Sequence, residues 1–331
     1  MQLPPFQFVE PQSIDETLHF LEEHGRESKL IAGGTDMLPS MKQRIYSPKY
    51  IVDLEHIGEM DQILFDGRSG LQLGALVKLH TVETNGQIAD KLPILSQAAA
   101  AVGSPQLRLM GTVGGNLCLD TRCYYYNQSN SWRKTRPKCI KLGGDVCNAI
   151  GSGKKCFAVF SGDLASALIV LDAQICLRSV RGERKLALRD FYTGDGAKPI
   201  DIKPDEILWR VMVPPQENRI AGIYLKYRIR KSIDYPLAAI AAVLRLDGKD
   251  NICRDARVVI NAVGARPTMV SAVSQLMEGQ PISGSLIENA SQLAFKAARP
   301  IKNTASSPEH RKLIIKALVT KALNHLQATL C

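Results

Sequence analysis

Lys29-Leu30-Ile31-Ala32-Gly33-Gly34-Thr35-Asp36 reads as a short buried strand that runs into a glycine turn. A related turn follows further along, Gly111-Thr112-Val113-Gly114-Gly115-Asn116. Paired glycines let backbone approach a ligand closely, and their N–H groups can form an anion-binding nest. Thr35 and Thr112 add hydroxyl donors. Taken singly, a Gly-Gly pair is most often just a turn. Two with matching chemistry can clamp a diphosphate from both sides, which makes a dinucleotide site the reading to test. Neither is G-x-G-x-x-G and neither is a Walker A sequence, so Rossmann and P-loop readings fail.

Around the first turn the chain reads as a small β-α-β-like unit. Ser13 is a candidate N-cap, with Glu16 completing a capping box and Leu18, Phe20 and Leu21 forming an apolar stripe up to His24. Helical character resumes over Met37–Arg44, and Tyr50–Leu54 is a second strand. Short strands around Gly67, Gly70 and Gly74 occupy 62–79, and helices are expected over Val82–Ile88 and Pro93–Val102. Ser161-Gly-Asp-Leu-Ala165 leads into expected strands at Ile169–Asp172, Gln174–Ser179 and Ile207–Val213. Pro214-Pro215 and the polar Gln216–Arg219 mark a boundary. Beyond it, Ile223–Ile229, Leu237–Leu246 and Ala256–Ala262 read as antiparallel strands followed by two helices. Ser307 caps the last of these and Pro308 takes its first position.

The 331 residues are 45% hydrophobic and 22% charged, as in an ordinary soluble domain, so disorder is not the theme. No apolar run is long enough for a membrane span. Met1-Gln-Leu-Pro-Pro5 shows neither the basic nor the apolar part of a secretory signal, so a reducing cytoplasm is expected. The net charge is +10, yet residues 121–156 carry eight basic side chains against the single acid Asp145, which is seven of the ten. The positive charge is thus a local patch.

Half of the eight cysteines fall in the same window: Cys123, Cys139, Cys147 and Cys156. The window shows neither helical nor strand periodicity, and a long patternless loop calls for something to order it. The C-x15-C-x7-C-x8-C spacing lacks the close pair of structural zinc sites and the tight run of bacterial ferredoxins. Four thiolates without a nearby histidine suit an iron–sulfur cluster best, with zinc or unrelated buried thiols as alternatives. Other candidates are weaker. Asp163 suits an N-cap, Lys226 and Arg230 lie two pleats apart on an expected strand, and Cys118 is a lone thiol beside the second glycine turn. No nucleophile triad is visible, which fits a chain that moves electrons rather than one that turns over a substrate.

Ala32–Asp36, Gly111–Asn116, Ser161–Ala165 and the helix from Ser307 together resemble the FAD-binding medium subunits of the molybdenum hydroxylases, the xanthine dehydrogenase and carbon monoxide dehydrogenase family. The likeness runs from Phe6 to the last helix. It implies an α+β fold: a two-subdomain FAD-binding domain of the vanillyl-alcohol-oxidase (PCMH) type over 1–216, then a smaller domain of antiparallel sheet plus helices over 217–331. Ordinary members lack the four-cysteine insertion, here residues 119–158. An insertion of this kind resembles the β subunits of 4-hydroxybenzoyl-CoA reductases, where it carries a [4Fe-4S] cluster. That resemblance implies Cys123, Cys139, Cys147 and Cys156 as its ligands.

For FAD, the resemblance implies Lys29, Leu30, Ile31, Ala32, Gly33, Gly34, Thr35 and Asp36 along the cofactor, with Gly33, Gly34 and Thr35 on the diphosphate. Thr112, Gly115 and Asn116 would face it from the second turn, Asp120 and Asp163 would sit near the ribityl or ribose, and Lys226 near the isoalloxazine. It further implies a molybdenum-cofactor large subunit and a small subunit with two [2Fe-2S] clusters, in a doubled assembly of three kinds of chain. Electrons would come from reduced ferredoxin, drawn to the basic loop, for conversion of 4-hydroxybenzoyl-CoA to benzoyl-CoA. Intact glycine turns and all four loop cysteines argue against a bare structural subunit with degenerate cofactor sites, and two further readings compete. One is an oxidising hydroxylase that passes electrons to NAD or a quinone. The other is a single-strand nucleic-acid binder, suggested by Tyr124, Tyr125, Tyr126 and Trp132 among the basic residues but unsupported by any binding fold.

Overall fold

The computed structural model describes residues 2–216, 220–247 and 251–330. The polar stretch expected to separate the domains therefore lies partly outside the described residues, at Glu217, Asn218 and Arg219. Strands β1 (Gln7–Val9), β2 (Ser28–Ile31) and β3 (Tyr50–Asp53) form a parallel sheet in the order β1-β3-β2. The helix Ile14–His24 crosses between β1 and β2. The Ser13 hydroxyl accepts from the N–H of Glu16 at 3.1 Å, while the Glu16 carboxylate accepts from Gln12 at 2.8 Å rather than from Ser13 itself.

A second, antiparallel sheet joins β4 (Ile63–Asp66), β5 (Gly70–Gly74), β6 (Gln174–Ser179), β7 (Gly182–Ala187) and β8 (Ile207–Val213) in the order β4-β5-β8-β6-β7. The chain between β5 and β6 holds the second glycine turn, the cysteine loop and the helix Asp163–Val170. That helix corrects the strand expected at Ile169–Asp172. All eight of its residues are buried, and a continuous apolar run does not by itself distinguish a core helix from a core strand. The expected helix Val82–Ile88 is likewise two helices, Leu79–Thr84 and Gly86–Lys91. Asn85 between them is extended, and its carboxamide oxygen caps the second by accepting from Ile88 at 3.0 Å.

The third sheet is antiparallel: β9 (Ile220–Tyr227), β10 (Ala238–Leu246), β11 (Cys253–Asn261) and β12 (Thr268–Met269), in the order β12-β11-β10-β9. Its central strand shows how the two parts of the chain meet. Ala239, Ala241 and Val243 belong to the core shared with the first two sheets, whereas Ala238, Ile240, Ala242 and Leu244 belong to a separate core under the C-terminal helices. Successive strand residues point to opposite faces, so a sheet covered on both sides needs an unbroken apolar run. Three helices, not two, cover the outer face: Ser271–Met277, Gly284–Ala297 and Pro308–Leu330. Ser307 caps the last by accepting from His310 at 3.2 Å. Among the described residues no helix is long and apolar enough to cross a membrane.

Candidate functional site

A cavity of about 1020 Å³ opens where the first two sheets meet the third. Its wall includes every residue of Lys29–Asp36, together with Thr112, Gly115, Asn116, Asp120, Asp163 and Lys226. The two glycine turns touch. A β-carbon on Gly33 would lie 1.8 Å from the carbonyl oxygen of Met110, next to the second turn, and Gly34 has φ +66°. Glycine is required at the first position by the close approach and at the second by the left-handed backbone. Thr112 caps the short helix Val113–Leu117, its hydroxyl accepting from Gly115 at 3.1 Å. The hydroxyl proton is left to donate. Asn116 ties this turn to the buried helix, accepting from the N–H of Leu164 at 3.0 Å.

Asp163 is not the N-cap of that helix. Gly162 takes the position, and Asp163 instead accepts from the Lys226 ammonium at 2.9 Å and from the Tyr224 hydroxyl. Lys226 also donates to the carbonyl of Ala101 at 2.9 Å. Burial pushes the Asp163 carboxyl up and the Lys226 ammonium down, and each opposes that push on the other. Arg230 does not share a strand face with Lys226. β9 ends at Tyr227, and Arg230 pairs with Asp234 in the loop beyond. Cys118 also lines the cavity, where burial pushes its thiol up to about 12 and disfavours the nucleophilic thiolate.

A second, much smaller cavity lies in the cysteine loop. Cys123, Cys139, Cys147 and Cys156 all line it, with Tyr126 and Lys141. The base of the loop is closed by Arg122 and Val159, each donating to the other's carbonyl at 2.7 Å. Within it are a short helix, Asn130–Lys134, and a single 3-10 turn, Ile140–Leu142. Cys139, Cys147 and Cys156 are buried despite the polar sequence around them. Burial, and then the neighbouring thiols after a backbone donor, act on Cys123, which is raised to about 11. The void is about 10 Å³, room for about one water. A multi-iron group would therefore widen the loop. Among the described residues, only Glu10, Asp53 and His56 bring three metal-binding atoms within 4.8 Å of one another. No three of the four sulfurs therefore lie within 4.8 Å of one another, whereas tetrahedral zinc with Zn–S near 2.3 Å would bring all four to roughly 3.8 Å.

Several residues of these sites were not singled out from the sequence. Tyr224 precedes Lys226 by two on β9, so strand periodicity could have paired them. Tyr46 carried no local signal: its hydroxyl donates to Asp120 at 2.6 Å across many residues of chain. Arg122 was visible only as a loop charge, yet it pairs with Asp36 of the first turn.

The family described as FAD binding domain in molybdopterin dehydrogenase matches residues 4–216, and the CO dehydrogenase flavoprotein C-terminal domain matches 223–326. The aldehyde oxidoreductase FAD-binding subunit PaoB of Escherichia coli is 32% identical over 76% of this chain and 80% of its own length. The carbon monoxide dehydrogenase medium chain of Afipia carboxidovorans is 27% identical over 98% of this chain and 97% of its own. The structure of carbon monoxide dehydrogenase from Hydrogenophaga pseudoflava shares the fold, with a TM-score of 0.82 over 100% of both chains at 22% identity. Fold and cavity define a two-domain flavoprotein. The chain belongs to the FAD-binding medium subunits of the molybdenum hydroxylases, of the carbon monoxide and xanthine dehydrogenase type, and is an oxidoreductase subunit.

Proposed function

We propose that this chain is the electron-transfer subunit of a molybdenum enzyme that reductively dehydroxylates 4-hydroxybenzoyl-CoA to benzoyl-CoA, and that it carries a [4Fe-4S] cluster on Cys123, Cys139, Cys147 and Cys156 in addition to FAD. The observation that carries this reading is the convergence of the four thiols on one cavity, in a loop whose wall adjoins the flavin cavity. Overall, two electrons and two protons enter, the ring C–O bond breaks, a C–H bond forms and the oxygen leaves as water. Substrate and molybdenum cofactor belong to a large partner subunit, two [2Fe-2S] clusters to a small one, in a doubled cytoplasmic assembly.

Bound FAD supplies the exchange between one- and two-electron transfer. The chain's own residues hold it. Gly33, Gly34, Thr35, Thr112 and Gly115 would cradle the diphosphate, Asn116 keeps the second turn against the buried helix, and Lys226, which donates to Asp163, would lie toward the isoalloxazine. Asp120 and Asp163, both in the cavity wall, would stand near the ribityl or ribose. On the outside, Lys134, Arg136, Lys138, Lys154 and Lys155 are exposed. Arg122, Arg133 and Lys141 turn inward, to Asp36, to backbone carbonyls including that of Arg44, and to Asp120. The exposed five form a docking surface for acidic, reduced ferredoxin, which charge complementarity steers toward the thiol cavity.

The named relatives favour a second reading. They include aldehyde, carbon monoxide and xanthine dehydrogenases, which suggests an oxidising hydroxylase passing electrons outward to NAD or a quinone. Iron, acid-labile sulfide, zinc and FAD measured on the anaerobically purified chain separate the two. About four iron and one FAD per chain are expected, with iron lost and FAD kept in Cys139→Ser/Cys147→Ser. FAD without iron, or zinc in its place, would return the chain to the oxidising reading.

A further inference from the structure

The wall between the two cavities is built around one ammonium. Lys141 lines the thiol cavity, and its side chain is only 4% exposed. Its Nζ donates to the Asp120 carboxylate at 2.6 Å, to the Thr121 hydroxyl at 2.6 Å and to the Thr121 carbonyl at 3.2 Å. It also lies 4.6 Å over the ring of Tyr126, another wall residue of the thiol cavity. On the far side, the second oxygen of Asp120 accepts from Tyr46, and Asp120 and Tyr46 both line the flavin cavity. Thr121 in turn donates to the carbonyl of Gly196, which fixes this short segment to the second sheet's connections. A single hydrogen-bonded chain, Lys141–Asp120–Tyr46, therefore spans from one cavity to the other.

We propose that Lys141 is a positioning residue joining the two redox sites: it holds Asp120 and Tyr46 at the flavin wall and sets the potential of the iron centre held by the thiolates. The second half of this rests on the cluster reading above. Iron-bound thiolates bring net negative charge into a site with little water, and reduction adds one more. A fixed cation at the wall stabilises the reduced form more than the oxidised one and so raises the potential. Burial keeps that charge from being screened as an exposed lysine's would be.

The test is an anaerobic redox titration of the assembled complex, followed by absorbance and electron paramagnetic resonance, for Lys141→Met, Lys141→Arg and the exposed control Lys138→Met. Iron and FAD retained, with the iron centre's potential moved negative in Lys141→Met, restored toward wild type in Lys141→Arg and unmoved in Lys138→Met, is the expected result. No shift, or one equal to that of Lys138→Met, overturns it. If Lys141→Met fails to assemble, Asp120→Asn decides: it leaves the ammonium uncompensated, so the potential must move positive, and an unchanged potential overturns the proposal. If the wild type holds no iron, the cluster reading fails on its own. The link is then judged by FAD: about tenfold weaker binding in Lys141→Met, restored in Lys141→Arg, upholds it, and equal binding overturns it.

Discussion

Gly33 has no room for a side chain, because its β-carbon position is already occupied by the Met110 carbonyl. Gly33→Ala must push the two turns apart, at a cost of about 1–3 kcal/mol, and should yield a folded chain that purifies without flavin absorbance. Lys226→Met leaves the buried Asp163 without its cation. The expected loss is about 3–5 kcal/mol by urea unfolding, with Lys226→Arg recovering part of it. Cys118 should resist alkylation. With burial pushing its thiol up to about 12, little of it is thiolate at pH 8, and labelling should rise as the pH is raised. Peptide mapping after iodoacetamide treatment reads this directly. The glycines were legible in the sequence because turn chemistry is local. The ion pair was not, since Asp163 and Lys226 meet only when the third sheet packs over the buried helix.

At the scale of elements, the cysteine loop departs furthest from expectation in how it uses its charge. Eight basic residues in the window read as one local patch. Arg133 in fact donates to the carbonyls of Gln43 at 3.1 Å and Arg44 at 2.9 Å, anchoring the loop to the segment after the first glycine turn. On the proposed function, charge reversal at the exposed Lys134, Arg136 and Lys138 should slow ferredoxin-driven reduction and flatten its salt dependence while leaving iron and FAD content intact. Stopped-flow rates across an ionic-strength series check this. The expected β10 falls within one residue of its observed bounds, because an apolar run is strong where both faces are covered, whereas β9, which is mostly half-buried, and β11 are placed only to within three residues. The helix Asp163–Val170 was half misread for the same reason: buried on all sides, it has no polar face to reveal its period.

Across the whole molecule, the C-terminal helices are fastened by one buried cation. Arg311 is 0% exposed and donates to the carbonyls of Leu237 at 2.9 Å, Ile301 at 3.2 Å and Ala262. Burial lowers its guanidinium to about 10. Arg311→Met removes these bonds and leaves the carbonyls unsatisfied, so a loss of about 3 kcal/mol is expected, seen as a lower Tm. FAD content should be unchanged, since Arg311 is not among the residues of the flavin cavity wall.

The sequence by itself determined the elements whose signals are local or periodic: the two glycine turns, the antiparallel strands of the third sheet, the capped last helix, and a thiol-rich basic loop. Spacing alone left the loop's ligand open among iron–sulfur, zinc and nothing. Only the tertiary structure decided that the two turns touch, that Asp163 faces Lys226 rather than capping a helix, that the four thiols line one void, and that Lys141 stands between that void and the flavin cavity. Each of these is a meeting of residues far apart in the chain. Such meetings arise from packing of whole faces, which no window of sequence contains.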